Sequence, residues 1–507
     1  MRPGFSTAAL LSAAAGSLAS DLANVTAIRD CSFCCGALAD AGLASRITYP
    51  GSTIYEQRVD SYWSLTAQLT PWCIIQPHNA KEVSTAVKAL VKANKKEECL
   101  FAVRSGGHTT WPGAANIENG ITIDLGLMNS TTYIASNNTA QVLPGSRWKG
   151  VYQTLDALGI AAAGGRASTV GVAGLALGGG NSFYAARKGL VCDNIAQYEV
   201  VLASGEIIYA NNKTNTDLFR ALKGGTGNFG IVTRLDLDTF EGEDLWGGVV
   251  TYPNSTTDAQ IQAFVNFGNN IENDQYGSAI VIWQYTTQNA ATILINAYEY
   301  TKPVAWPAAF DEFKAIPDRT SDSMRFTNMT DLTVELEQAA GYRDTFVTLT
   351  FVNDKRVVKK AVDLHNTVVE KVKAHKATGN WTVQDMVQPI PTIFTKHSVE
   401  KGGNMLGLDR FSDNLVLFQT YLAWEGAEQD DFFQGLGDWY IAQLSAYAKS
   451  IGKSNPYIYL DYAYATQKPL ENYGAVNIAK LKAASKKYDP TGVFQKLVPG
   501  GFKISKV

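Results

Sequence analysis

Apolar residues between positions 71 and 240 follow short strand-like and helical patterns in turn. An apolar run over 72–76 predicts a strand that Pro77 ends, and Asn79 can then cap a helix over 80–93. Related patterns predict further strands over 100–103, 120–125, 140–143, 198–202, 206–209 and 230–237, and helices over 148–158 and 217–222. This part of the chain is therefore predicted to be an α/β unit.

Strand-like runs become longer after about residue 245, and glycine becomes rarer. Residues 278–286 and 291–300 predict strands, whereas 258–269 and 356–372 have the period of amphipathic helices. We interpret this part as a separate domain, an antiparallel sheet backed by helices. A last strand over 457–462 and a helix over 476–487 follow it. The expected fold class is α+β.

The chain begins like a secretory signal peptide. Arg2 precedes an apolar run over 5–15, and Ser17-Leu18-Ala19 resembles a small-residue cleavage site. The alternative is an amphipathic N-terminal helix. The length of 507 residues favours several domains. We expect a signal peptide over 1–19, a cysteine-bearing lead-in over 20–66, the two domains over 67–245 and 246–450, and a C-terminal segment over 451–507 that returns to the first domain.

The six cysteines of the chain fit an exported protein. Cys31, Cys34 and Cys35 could suggest zinc, but no histidine or second CxxC pair lies nearby to complete a metal site. We expect disulfides from this cluster to Cys73 and Cys99, with the connectivity left open. Sequons that agree with secretion begin at Asn24, Asn129, Asn137, Asn212, Asn254, Asn328 and Asn380.

Residues 101–108 combine an apolar strand with a Gly-Gly turn that presents His108. Glycines let the backbone come close to a bulky flat ligand, which the histidine would then face. The alternative is a surface turn with an incidental histidine.

Two other segments are rich in glycine. Residues 225–230 match GxGxxG, but helix, glycine loop and strand follow in the reverse of the order that a dinucleotide fingerprint needs, so no Rossmann site is expected. Residues 164–180 hold too much glycine for a regular helix, and the N–H groups of Gly178, Gly179 and Gly180 could cradle a pyrophosphate. A flexible surface loop is the alternative, although interleaved apolar residues such as Val172 disfavour it.

Six short motifs are spread along the chain. They are Arg104-Ser-Gly-Gly-His108, Thr169-Val-Gly-Val-Ala-Gly174, Gly178-Gly-Gly180, Cys192-Asp-Asn194, Gly224-Gly-Thr-Gly-Asn-Phe-Gly230 and Tyr488-Asp-Pro-Thr-Gly-Val-Phe494. Together they resemble the berberine bridge enzyme-like flavoproteins of the vanillyl-alcohol oxidase superfamily, and secreted fungal members most closely. The resemblance implies a two-lobed PCMH-type FAD-binding domain, made of two α/β subdomains, beside the antiparallel substrate domain.

The resemblance also implies that His108 carries FAD through an 8α-histidyl bond. Many relatives add a second bond from a cysteine shortly before the TVG motif, where this chain has Ala167, so a single covalent link is expected. Leu175 stands where many relatives have a histidine, which puts in doubt any role of that histidine in forming the bond. No metal is expected. The residues expected to bind the cofactor with His108 are Arg104, Ser105, Gly106, Gly107, Thr169, Gly171, Gly174, Gly178, Gly179, Gly180, Gly230 and Ile231.

The segment from Tyr459 to Ala463 resembles the part of the family that passes the flavin face. There Tyr462 matches the catalytic base of carbohydrate-oxidising members. Strand alternation would place Leu460 and Tyr462 on one face and Asp461, where the family usually has asparagine, on the other. A tyrosine needs a nearby cation or the polarity of the flavin to act as a base. The alternative is a core tyrosine whose hydroxyl is hydrogen-bonded.

The signal-like start and the sequons predict a secreted, N-glycosylated protein, and the resemblance implies that it is an oxidoreductase. We expect it to transfer a hydride from a small secondary-metabolite alcohol to covalently bound FAD, which O₂ reoxidises, although a dehydrogenase is possible. The alternatives are an oligosaccharide oxidase that forms lactones and a flavin-holding cyclase or scaffold without net redox turnover. The expected partners are a small-molecule substrate and O₂. The net charge of −3 gives no reason to expect nucleic acid or a membrane, and the oligomeric state is undefined.

Overall fold

The structure is a computed structural model that describes residues 33–507. Helix Ala80–Ala93 forms as predicted between two strands of the first sheet, and the side chain of Asn79 caps it by accepting the N–H of Glu82 at 3.0 Å. The parallel pairing of three strands in this sheet follows from such crossovers. The four strands lie in the order Ile47–Thr48, Cys73–Ile75, Ile121–Asp124 and Phe101–Arg104.

A second, six-stranded sheet is antiparallel. It contains the predicted hairpin, whose turn at Gly205 has a φ of +80° that glycine adopts without strain. Its strands lie in the order Thr131–Ile134, Thr139–Val142, Ile231–Glu241, Ile195–Val201 and Ile207–Asn211, and Ile160–Ala162 also pairs with Ile231–Glu241.

The third sheet has nine strands, and every pairing in it is antiparallel. With the first two sheets it confirms the predicted α+β fold class. Its strands lie in the order Ser321–Asp322, Leu245–Pro253, Thr292–Tyr300, Gly277–Thr286, Trp381–Ile390, Leu415–Trp424, Arg343–Val352 and Ser454–Asn455, and Arg325–Thr327 also pairs with Leu245–Pro253.

Long helices cover one face of the nine-stranded sheet. Trp283 points to that face, where its indole N–H donates to Thr257 of a covering helix at 3.1 Å. Ile282 and Gln284 alternate with Trp283 along the strand and face a cavity on the other side. From residue 39 onward the α-helices are Thr53–Asp60, Ala80–Ala93, Trp148–Asp156, Val172–Gly178, Ala185–Lys188, Thr216–Leu222, Thr257–Asn270, Asp311–Lys314, Met329–Glu335, Lys355–His375, Thr392–Glu400, Asp430–Ser450, Ala475–Tyr488 and Val493–Lys496.

Two sequence predictions are wrong. A short helix, Val172–Gly178, forms inside the glycine-rich segment because its apolar residues are buried, and this packing overrides the weak helical propensity of glycine. The strand predicted over 457–462 is absent, and Leu460–Tyr462 is instead a turn of 3₁₀ helix. The alternation argued for Leu460, Asp461 and Tyr462 therefore does not apply, and all three residues line the same cavity.

Two disulfides hold the N-terminal segment, as predicted. Cys34 is bonded to Cys99, and Cys35 to Cys73. Cys192 is a buried free thiol. The predicted signal peptide and Cys31 lie outside the described residues. Within residues 33–507 no helix combines the length and apolar character needed to cross a membrane.

Candidate active site

A cavity of about 1140 Å³ lies between the N-terminal sheets and the inner face of the nine-stranded sheet. The turn predicted to face a ligand, residues 105–108, forms part of its wall. Of the predicted site residues, the cavity wall contains Ser105, Gly106, Gly107, His108, Gly171, Gly174, Gly230, Ile231 and Tyr462. The structure therefore gathers residues from distant parts of the sequence around one space.

Gly106 and Gly171 bring two segments of backbone together. A Cβ atom on Gly106 would lie 2.5 Å from the Cα of Gly171, which no real side chain tolerates. The next residue, Gly107, has a φ of +66°, and a Cβ there would meet the guanidinium of Arg104 at 2.7 Å. Glycine is thus required at all three positions by close approach, and the turn leaves backbone facing the cavity.

His108 enters the cavity from this turn. Its ring stacks on Trp63 with centroids 4.6 Å apart and planes at 10°, and Nε2 lies 3.3 Å from the hydroxyl of Thr169. Removal from bulk water lowers the pKa of His108 to about 3, and the nearby Arg147 cation contributes in the same direction. The imidazole is therefore neutral near pH 7, as a nucleophilic histidine must be.

Arg104 packs against Gly107 of the turn and does not line the cavity within the described residues. It is fully buried, with its guanidinium 3.7 Å from the ring centre of Tyr62, and it donates to the hydroxyl of Ser61 at 2.8 Å. A carboxylate oxygen of Asp124 lies 3.7 Å from a guanidinium nitrogen of Arg104, so Asp124 is a counter-ion of this arginine. Thr169, also absent from the wall, contacts the His108 ring as described above.

Gly178, Gly179 and Gly180 do not line the cavity within the described part of the chain. Asp461 takes the place next to them that we expected a pyrophosphate to occupy, since its Oδ2 accepts the N–H of Gly180 at 3.0 Å. A side chain on Gly178 would collide with the same carboxyl group. Burial raises the pKa of Asp461 to about 7.

Tyr462 presents its hydroxyl to the cavity beside Arg166, a residue that sequence reasoning missed. A guanidinium N–H of Arg166 donates to the hydroxyl oxygen of Tyr462 at 3.1 Å, and the same nitrogen donates to the amide oxygen of Gln388. The available signal was a lone arginine within an otherwise apolar, glycine-rich segment, directly before Ala167. Arg166 thus places a cationic group within hydrogen-bonding distance of the Tyr462 hydroxyl.

The inner face of the nine-stranded sheet forms the opposite wall. Its aliphatic part consists of Ile280, Ile282, Ile295 and Met386. Polar side chains of the same strands also line the cavity: Gln284, Thr286, Thr382, Gln384 and Gln419. Gln284 donates to Gln384 at 2.8 Å, and the amide nitrogen of Gln419 has no hydrogen-bond partner among the described residues. Such a wall suits a molecule with an apolar part and a limited number of hydrogen-bonding groups.

A buried acid–phenol pair belongs to this wall, with Tyr421 lining the cavity and Asp344 bonded to it. The hydroxyl of Tyr421 donates to Oδ1 of Asp344 at 2.8 Å, while Oδ2 of Asp344 has no partner among the described residues. Burial raises the pKa of Asp344 to about 7. The ring centroids of Tyr421 and Trp63 lie 6.0 Å apart. Because Trp63 stacks on His108, the pair lies near the His108 end of the cavity.

The fold and this cavity define an FAD-binding oxidoreductase, and a family model described as an FAD binding domain matches residues 71–211. The chain is 44% identical over 475 residues to the FAD-dependent monooxygenase sdcF of Emericella nidulans, and the aligned region covers 93% of this chain and 98% of that protein. It is 40% identical over 476 residues to the FAD-dependent monooxygenase drtC of Aspergillus calidoustus, covering 94% of this chain and 90% of that one. The chain therefore belongs to the berberine bridge enzyme-like FAD-linked oxidoreductases.

A solved structure of the wild-type BBE-like 1 protein of Physcomitrella patens has the same fold. The TM-score is 0.74 at 20% sequence identity, over 92% of this chain and 98% of that one. The residues present fit FAD, since the cavity of about 1140 Å³ presents the backbone of Gly106 and Gly107 to a flat ring system next to the neutral imidazole of His108.

Proposed function

We propose that the protein oxidises a small, largely apolar alcohol by hydride transfer to FAD, with O₂ as the final electron acceptor. The observation that carries this proposal is the hydroxyl of Tyr462, held by Arg166 in a cavity with glycine backbone on one side and an aliphatic wall on the other. FAD, when bound, accepts the hydride and passes the electrons on.

Tyr462 removes the proton of the substrate hydroxyl as the hydride leaves the adjacent carbon. Arg166 stabilises the phenolate oxygen of Tyr462 that this step requires, because its guanidinium already lies within hydrogen-bonding distance. Gln388 accepts from the same guanidinium nitrogen and fixes its position. In this scheme the protein supplies the base and the orientation of the substrate.

We further propose that His108 forms the single covalent bond to FAD. Its neutral ring supports this role, and stacking on Trp63 fixes its orientation. Ala167 lines the cavity where relatives with a second link carry a cysteine, and it offers no thiol. Cys192 is buried and is not part of the cavity wall among the described residues.

The aliphatic wall favours a secondary-metabolite alcohol over an oligosaccharide. A sugar chain carries a hydroxyl on nearly every carbon, and the hydroxyls that meet Ile280, Ile282 and Ile295 would lose hydrogen bonds, while Gln284, Gln384 and Gln419 could bind only some of the others. Oligosaccharide oxidation to a lactone therefore ranks second. A cyclase or scaffold without redox turnover ranks third, because the Arg166–Tyr462 contact would then have no role in proton removal during oxidation.

Oxygen insertion is a further candidate, favoured by the names of the relatives from Emericella nidulans and Aspergillus calidoustus, both called FAD-dependent monooxygenases. It would use the same cavity but would leave an oxygen atom from O₂ in the product. The product mass distinguishes the two reactions, because alcohol oxidation removes two hydrogen atoms and adds no oxygen.

We also propose that the protein acts in the secretory pathway or outside the cell. Its two disulfides support this, since such bonds persist in oxidising compartments. The proposed partners are the small-molecule substrate and O₂.

The test is peroxide release from the purified protein across two sets of compounds. One set contains aromatic and polyketide-type alcohols, and the other contains cello-, xylo- and chito-oligosaccharides. We expect peroxide and carbonyl products from members of the first set, with no label from ¹⁸O₂ in the product. Turnover of oligosaccharides alone, or ¹⁸O in the product, would replace the proposal by one of the alternatives above.

A further inference from the structure

The C-terminal residues close one end of the cavity. Residues 500–503 line it together with the glycine loop around Gly227 and Gly230. Asn228 fastens this segment to the loop, since its side chain donates to the carbonyl of Phe502 at 2.9 Å and accepts the N–H of Ile504 at 3.2 Å. The ring of Phe502 packs against Trp111 with centroids 5.4 Å apart, so the segment also contacts the stretch that follows His108.

Lys503 is buried at this end, with 6% of its surface exposed. Its ammonium group donates to the backbone carbonyl of Phe494 at 3.0 Å, and it forms no ion pair within the described chain. The negative charge of Asp489 attracts the ammonium group of Lys503, but the two groups form no ion pair. The two carboxylate oxygens of Asp489 instead accept the N–H groups of Val493 and Phe494 at 2.8 Å. Burial lowers the pKa of Lys503 to about 7.

A buried ammonium group without a counter-charge is costly, and an anion in the adjoining cavity removes that cost. The described cavity wall contains two cationic side chains, Arg166 and Lys503. Arg166 is committed to Tyr462 and Gln388, whereas Lys503 has donors left for a ligand. The anion that belongs in a cavity built for FAD is the diphosphate that joins the two halves of that cofactor.

We propose that Lys503 binds the diphosphate of FAD and that the C-terminal segment 500–503 thereby becomes part of the cofactor site. This inference rests on FAD being the ligand of the cavity. It gives the diphosphate a cationic partner, a role that the predicted cradle at Gly178 to Gly180 does not fill because Asp461 occupies it.

The test uses the full-length chain with His108→Ala, so that FAD exchanges freely with solution. Binding of FAD and of riboflavin, which lacks the diphosphate, is followed by quenching of flavin fluorescence. Adding Lys503→Met should weaken FAD binding about 10- to 100-fold and leave riboflavin binding unchanged. Lys503→Arg should restore most of the FAD affinity, and Lys482→Met, which removes an exposed charge from helix Ala475–Tyr488, should change neither.

Equal FAD affinity with and without Lys503→Met would overturn the inference. An equal loss for FAD and riboflavin would also overturn it, since Lys503 would then support the fold of the site and not the diphosphate. If the His108→Ala parent itself bound neither flavin and the wild-type chain carried none, the proposed function would fail instead. Thermal melting of each variant shows whether the fold is intact.

Discussion

A guanidinium N–H of Arg166 donates a hydrogen bond of 3.1 Å to the hydroxyl oxygen of Tyr462, across 296 residues of sequence. The contact joins a glycine-rich segment of the N-terminal half to a turn near the C-terminus. It places a permanent positive charge beside the group proposed as the base. A charge-assisted hydrogen bond of this kind is about twice as strong as a neutral one.

Replacing Arg166 should slow substrate oxidation without releasing the cofactor. Arg166→Gln keeps a hydrogen-bond donor but removes the charge, so we expect flavin reduction at neutral pH to fall about tenfold or more. Arg166→Lys is the matched control and should recover much of the rate. A Gln variant as fast as the wild type would show that the charge has no role in the reaction.

Denatured wild-type protein should keep its yellow colour, and peptide mapping should place the flavin on His108. His108→Ala should release all FAD on denaturation, because Ala167 provides no second attachment point. Cys192→Ala serves as the control and should retain the flavin, since this thiol is buried away from the cavity wall. Flavin that is extractable from the wild type, or found on Cys192, would refute the single histidyl link.

Asp461 should make the protein less stable as the pH rises between about 4 and 7. Its carboxyl has a pKa of about 7 in the folded protein against an ordinary 3.8, so the folded state holds a proton that the unfolded state has lost in this range. The contribution of Asp461 to the free energy of unfolding is fully present below pH 4 and is lost as the pH rises through 7. Between these values the free energy of unfolding falls by up to about 1.4 kcal/mol per pH unit.

Urea unfolding of wild type and Asp461→Asn across this pH range measures that contribution. The amide is neutral and can still accept the N–H of Gly180, so the variant should show the weaker pH dependence. Some dependence should remain, because burial also raises the pKa of Asp344 to about 7. Parallel curves for the two proteins would mean that Asp461 is ionised in the folded state.

The Cys34–Cys99 and Cys35–Cys73 bonds should hold the N-terminal segment to the first sheet. The first bond closes a loop of 65 residues, and removing one such bond typically costs about 2–5 kcal/mol. A Cys34→Ala/Cys99→Ala double variant should therefore unfold at lower temperature than the wild type. Reducing agent should narrow the difference between the two melting temperatures. Mass mapping without reduction checks the connectivity, and free thiols at these four positions would contradict both the pairing and the proposed export.

The sequence predicted those parts of the fold that local chemistry determines. Helix Ala80–Ala93 was placed correctly because Asn79 caps it and its apolar residues repeat with the helical period. The strand predicted over 457–462 is wrong: Leu460–Tyr462 is a 3₁₀ turn, and Asp461 within it bonds to Gly180, which lies 281 residues earlier. A contact over that distance leaves no periodic pattern, so the 3₁₀ turn could not be read from its own residues.

Part of the site was also visible in the sequence. The turn that presents His108 stands out because its glycines are required by close backbone approach. Arg166 and Lys503 were missed because each acquires its environment from packing: Arg166 meets Tyr462, and Lys503 is buried by a C-terminal segment that Asn228 fastens in place. A single charged residue in an apolar stretch is a weak signal until the fold supplies its neighbours.

The most direct test of the account is anaerobic rapid mixing of wild type and Tyr462→Phe with an alcohol that the peroxide assay identifies as a substrate. Removal of a general base typically costs about 10²–10⁴ in rate. We therefore predict that the variant, still yellow and folded, reduces its flavin more slowly by that factor. Equal rates of flavin reduction in the two proteins would contradict the account and place the base elsewhere in the cavity.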